Sequence, residues 1–194
     1  EEQGIQCLDG DSSSSVNSLW QVPCPAVKIG VIADTHGFLD PKIPKIFKGV
    51  DAILHGGDIG SMDVIRGLRA IAPVYAVRGN HEPEDVIKEF PNRQDQVVLE
   101  GKRIFLSHGF ISFGWEFFEM MAGRYKEMFE KMQVDALVYG HSHFPESRLF
   151  NGVLFFCPGF AGEDVRDPGR AVGILTISDG KISGEIIRLL PDKP

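Results

Sequence analysis

Asp34, His36, Asp58, Asn80, His81, His108, His141 and His143 are the side chains whose types and spacing could do chemistry together. Most stand within two residues of a glycine and follow apolar runs, as in Ile32-Ala33-Asp34-Thr35-His36-Gly37 and Leu54-His55-Gly56-Gly57-Asp58. Polar ligand types therefore gather at strand ends. Taken singly, each has an ordinary explanation: Asp34 could cap a helix, Asn80 could sit in a tight turn after Gly79, and His141 and His143 could be loop residues. His55 lacks a ligand partner at i+2 and reads as structural.

Taken together they supply two first shells of oxygen and nitrogen donors without a cysteine. In Asp-x-His and His-x-His, residues i and i+2 of an extended strand end share a face, so both side chains could reach one ion. A carboxylate such as Asp58 can bridge two ions. Carboxylate, amide and imidazole donors without thiolate suit Mn, Fe, Zn or Ni.

The elements that must position these residues alternate in the first half. An apolar run Val27 to Ala33 reads as a buried strand, followed by a helix near 41–49, a strand Ala52–His55, a helix near 61–70, a strand Val74–Val77 and a helix at 83–89. This order implies a largely parallel sheet with ligands beyond its carboxyl ends. The second half reads as strands at Gln96–Leu99 and Arg103–Ser107, a long helix over 115–132, a strand Ala136–Tyr139, and strands near 147–150, 153–157, 171–177 and 181–189. Asn151-Gly152 and Asp179-Gly180 are hairpin signals, so this half is expected to be antiparallel. The economical assembly is two packed sheets covered by helices. On the long helix, Phe117, Phe118, Met121, Tyr125, Met128, Phe129 and Met132 mark one apolar face for the core, whereas Phe110, Phe113 and Trp115 could line a substrate entrance.

Composition bounds the rest. With 194 residues, 24% charged and 43% hydrophobic, the chain can build a core without staples. Residues 1–26, with Ser12-Ser13-Ser14-Ser15, Pro23 and Pro25, read as an N-terminal extension, and 27–194 as a single domain. A net charge of -7 argues against a stable nucleic-acid complex, which needs a surplus of Lys and Arg on one face. Cys7, Cys24 and Cys157 form neither a disulfide framework nor a Cys-x-x-Cys pair, which fits a reducing compartment, the cytoplasm. No apolar run approaches the ~20 residues of a membrane span, and Glu1-Glu2-Gln3 lacks the basic start of a signal peptide. Neither a P-loop nor a Gly-x-Ser-x-Gly elbow is present.

The blocks Asp34-Thr35-His36, Gly57-Asp58, Gly79-Asn80-His81-Glu82, His108-Gly109 and Gly140-His141-Ser142-His143 resemble, in order, the five motifs of the calcineurin-like metallophosphoesterases. The resemblance spans about 27–190, and the chain is similar in length to the small single-domain phosphodiesterase branch. It implies an α/β fold, a four-layer α/β/β/α sandwich of two mixed sheets flanked by helices. It also implies two divalent metal ions, manganese first among them. Asp34, His36 and His143 would hold one ion, Asn80, His108 and His141 the other, and Asp58 would bridge them. His81 would be the catalytic histidine, with Glu82 orienting its ring.

The implied reaction is hydrolysis of a small-molecule phosphoester, a diester before a monoester, by in-line attack of a bridging hydroxide with His81 as general acid. Two ions and two carboxylates leave a net positive site that accepts an anion, and coordination lowers the pKa of water from about 15.7 towards 7. Arg78 is more simply a solvated or ion-paired residue and is left out of the site. Selectivity would come from loops 37–42, 60–63, 109–119 and 144–146. The same fold also serves as a protein-interaction scaffold in the retromer subunit that resembles this family, and a homo-oligomer is compatible with either reading.

Overall fold

The computed structural model describes residues 25–109, 127, 130–131 and 133–190. The apolar run at the start forms β1 (Val27–Ile32), and α1 (Ile43–Ile46) follows. This helix is a single turn where a longer one was expected. Pro44 enters within the first turn, where its missing N–H is not needed, and the chain leaves through Gly49 at φ 79°. Next come β2 (Ala52–His55), α2 (Met62–Arg69), β3 (Val74–Ala76) and α3 (Glu84–Glu89). The Ser61 hydroxyl caps α2 by accepting from Asp63 N at 3.1 Å.

β4 (Gln94–Leu99), β5 (Lys102–Ser107), β6 (Ala136–Tyr139), β7 (Glu146–Phe150) and β8 (Val153–Cys157) make a second sheet in the order β4-β5-β6-β8-β7. The last strands, β9 (Ala171–Ser178) and β10 (Lys181–Arg188), return to the first sheet, giving β10-β9-β1-β2-β3. β1 pairs parallel with β2, and β2 with β3.

The expected antiparallel second half is corrected to a mixed arrangement. The three hairpins β4/β5, β7/β8 and β9/β10 are antiparallel, but β5/β6 and β6/β8 are parallel. The stretch between β5 and β6 is long enough for the crossover that parallel neighbours require. Asn151-Gly152 (φ 48° and 82°) and Asp179-Gly180 (φ 51° and 69°) turn through two left-handed residues, as tight hairpins demand. Glu100-Gly101 does the same at φ 45° and 71°.

Two mixed sheets thus pack face to face, the expected α/β sandwich. Between them lie Ile29, Val31, Leu54, Leu175 and Ile177 from the first sheet against Ile104, Leu106, Val138 and Phe156 from the second. Phe156 fills the space left by Gly173 and Gly184 on β9 and β10, where any Cβ would collide with its ring. On the outer face of the first sheet, Ile43 and Phe47 at α1, Val64, Ile65 and Leu68 of α2 and Val86 of α3 cover Ile32, Ile53 and Val172. Phe105, Leu137, Tyr139 and Phe155 cluster on the outer face of the second.

The apolar stripe of the expected long helix lies outside the described residues, although Glu127, Glu130 and Lys131 are helical and exposed. Phe110, Phe113, Trp115 and most of the expected extension 1–26 also lie outside them.

Candidate metal centre

Parallel pairing directs the carboxyl ends of β1, β2 and β3 to one edge, and those of β5, β6 and β8 do likewise. The two edges abut. A Cβ on Gly140 would come within 2.7 Å of Asp34 Oδ2 and 2.8 Å of the Gly56 carbonyl oxygen, so only glycine lets the end of β6 approach those of β1 and β2. Every site residue expected from sequence falls just beyond one of these strand ends: Asp34 and His36 after β1, Asp58 after β2, Asn80 and His81 after β3, His108 after β5, and His141 and His143 after β6.

The side chains do not converge by strand alternation, which corrects the i, i+2 argument. Asp34, His36, Asp58, His141 and His143 all adopt left-handed backbone, at φ 53°, 47°, 51°, 70° and 58°. Such conformations cost non-glycine residues about 1–3 kcal/mol each and concentrate at functional sites. Successive tight turns, held by Asp34 N donating to Gly57 O (2.9 Å) and His36 N to Asp58 O (2.9 Å), aim these side chains inward.

Two groups of potential ligand atoms result, each within 4.8 Å of one another: Asp34, His36 and His143, and Asp34, Asp58 and His108. His143 Nε2 lies 3.6 Å from Asp34 Oδ1, His36 Nε2 lies 3.9 Å from Asp58 Oδ2, and His108 Nε2 lies 3.4 Å from Asp58 Oδ1. Asn80 joins through its Oδ1, 2.9 Å from His108 Nε2. The His141 ring is 5.0 Å from that of His108, and the His36 and His143 rings are 5.8 Å apart. His108 Nδ1 faces the Gly56 carbonyl oxygen at 2.9 Å, which leaves Nε2 directed at the centre.

The donor chemistry fits divalent ions. Asp34 and Asp58 are buried carboxylates whose hydrogen bonds come from backbone amides: His141 N to Asp34 at 3.0 Å, and Asn80 N and His81 N to Asp58 Oδ1 at 2.9 and 3.1 Å. Burial alone would push the Asp58 carboxyl up, but the His108 contact, the His81 amide and the nearby His36 outweigh it and hold it well below the usual carboxylate range. His143 is drawn upward chiefly by its contact with Asp34. Cys157, near this edge, is not a competing thiolate: burial pushes it up to about 12, and it pairs with Ser142 Oγ at 3.5 Å.

His55 is buried and structural, as expected. Its Nε2 meets Thr35 Oγ1 at 3.0 Å, its Nδ1 accepts Gly57 N at 3.2 Å, and burial lowers its pKa to about 3. His81 is exposed, with its backbone amide on Asp58. Glu82 does not orient it. The Glu82 carboxylate accepts the amides of Ile59, Gly60 and Gly79, each at 2.9 Å, which occupies both oxygens in holding the Asp58 loop against the Asn80 loop. Arg78 donates through Nε to the Pro91 carbonyl at 2.8 Å.

Three contributors carry no signal near the motifs. Phe160 places its ring 4.7 Å from His143 and 5.9 Å from His36. Asp167 Oδ2 lies 3.4 Å from His143 Nδ1. The buried Arg170 guanidinium is 2.7 Å from the buried Asp40 carboxylate, fastening the strand that follows the 160–169 loop to the loop after His36.

The family model for the calcineurin-like phosphoesterase superfamily domain matches residues 27–180. A probable metallophosphoesterase of Methanothermobacter thermautotrophicus is 32% identical over 166 residues, covering 82% of this chain and 91% of the relative. The phosphodiesterase YfcE of Escherichia coli K12 is 37% identical over 90 residues, 44% of this chain and 43% of its own length. The crystal structure of Vps29 of Entamoeba histolytica complexed with zinc shares the fold, with a TM-score of 0.57 at 21% identity, over 83% of this chain and 98% of that one. By the extent of the family match and by the 32% identical relative, this chain belongs to the calcineurin-like phosphoesterase superfamily.

Proposed function

We propose that this metallophosphoesterase is a phosphodiesterase with a two-ion centre. Asp34, His36 and His143 hold one ion, Asn80, His108 and His141 the other, and Asp58 is shared. The observation that carries the reading is the convergence of Asp34 and Asp58 with His36, His108 and His143 at the meeting edge of the two sheets. Manganese is the ion proposed, and the zinc in the Vps29 structure supports a divalent site on this fold. When bound, the ions supply positive charge for an anionic phosphoester and make water acidic enough to furnish a nucleophile at neutral pH.

The chain's own contribution is placement. Asp34 and Asp58 are held by backbone amides, so their positions need not reorganise during reaction. His81, exposed beside Asp58, is free to carry a proton to the leaving oxygen as general acid. The diester preference is supported by the name of the YfcE relative, and the substrate class is a small phosphodiester. The unpaired Cys157 suits a cytoplasmic setting, and no helix among the described residues is long and apolar enough to cross a membrane.

The test is hydrolysis of bis-p-nitrophenyl phosphate beside the monoester by the Mn-loaded protein. Faster diester turnover is expected, and His81→Ala should lower kcat by about 10²–10⁴-fold with KM little changed. A folded, metal-loaded protein that cleaves neither ester, or a His81→Ala variant with full turnover, contradicts the proposal.

A further inference from the structure

We infer that Asp167 is the positioning residue of the ligand His143, fixing the proton on Nδ1 so that Nε2 is offered to the ion beside Asp34. The inference rests on the metal-centre reading above. His143 stands between two carboxylates: Nε2 is 3.6 Å from Asp34 Oδ1 and Nδ1 is 3.4 Å from Asp167 Oδ2. A ligating imidazole that gives its other N–H to a carboxylate is held in one tautomer and orientation and becomes a better donor to the metal.

The surrounding turn shows that this carboxylate is placed rather than incidental. Asp167 Oδ1 accepts the Gly169 amide at 2.6 Å, which leaves Oδ2 for the ring. Asp167 N donates to Asp164 O at 3.1 Å, and Arg170 N donates to Asp167 O at 3.2 Å. Gly169 lies against the His143 carbonyl oxygen, where any Cβ would collide. Arg170 anchors the turn in the protein interior, reaching Asp40 at 2.7 Å, Gly162 O at 2.9 Å and Leu189 O at 3.2 Å. Phe160, 4.7 Å from the His143 ring, packs against the same imidazole.

Asp167→Asn is the informative variant because it keeps the shape. The Gly169 amide and the His143 Nδ1–H both need an acceptor, and an amide has only one oxygen. Its NH₂ must therefore oppose one of them or drive His143 into the tautomer that blocks Nε2.

The experiment is calorimetric titration of Mn²⁺ into the chelator-stripped full chain, with thermal unfolding of each metal-free protein. Asp167→Asn should weaken one of two binding events by about 10–100-fold, leaving the other and the metal-free midpoint unchanged. Asp164→Ala, in the same loop but engaged with exposed Arg166, should bind as wild type does. Wild-type affinity in Asp167→Asn, while His143→Ala loses an ion, overturns the inference and leaves the metal centre standing. A lowered metal-free midpoint with unchanged affinity overturns it too, assigning Asp167 to loop stability. A wild-type chain that takes up no Mn²⁺ overturns the metal centre, and this inference with it.

Discussion

The Glu82 carboxylate accepts the backbone amide of Ile59 at 2.9 Å, joining the turn after Asp58 to the turn that carries Asn80 and His81. With Gly60 and Gly79 on the same carboxylate, one acidic side chain fixes the two loops that carry the proposed ligands Asp58 and Asn80. Glu82→Ala strands these amides and should cost about 2–3 kcal/mol, as charge-assisted hydrogen bonds do. Urea unfolding of the metal-free protein measures this. An unchanged midpoint with only kcat reduced would instead mean that Glu82 acts through His81.

His55 makes stability depend on pH. Its folded pKa is about 3 against an ordinary 6.5, because burial disfavours the charged ring. Below pH 6.5 the unfolded chain takes up a proton that the native state refuses. This contribution is therefore complete above 6.5 and is lost as pH falls towards 3. Between pH 7 and 4.5, metal-free wild type should lose about 2–3 kcal/mol more than His55→Gln. Parallel curves for the two proteins would show that His55 is protonated in the fold.

The left-handed backbone of His36 has its own test. At φ 47° a Cβ is strained and glycine is not, so metal-free His36→Gly should be more stable than His36→Ala by about 1 kcal/mol. Both variants lose the same imidazole, so the comparison isolates backbone strain. An alanine variant of equal or greater stability would contradict a left-handed backbone at His36.

These cases show which features a sequence carries. Ala52–His55, Ala136–Tyr139 and Val153–Cys157 were legible to the residue, because strands buried on both faces are near-continuous apolar runs bounded by glycine, proline or polar residues. The gathering of the proposed ligands at one edge was legible for a related reason: parallel strands end where their apolar runs end, and polar side chains collect there. Which strands would pair was not, since the pattern of β5, β6 and β8 states their burial and not their neighbours. Glu82 was misassigned to its sequence neighbour His81 because two of the three amides it serves, those of Ile59 and Gly60, are brought to it by a left-handed turn at Asp58. Asp167 had no local signal at all; only the return of the 160–170 segment to the sheet edge sets it beside His143.

The central claim, a two-ion centre that performs the hydrolysis, is tested most directly by following diester hydrolysis while Mn²⁺ is returned to chelator-stripped protein. Activity should vanish on stripping and return in full at about two equivalents per chain, whereas Asp58→Asn, lacking the shared carboxylate, should recover almost none. Full turnover by the stripped protein, or wild-type recovery in Asp58→Asn, would contradict the account.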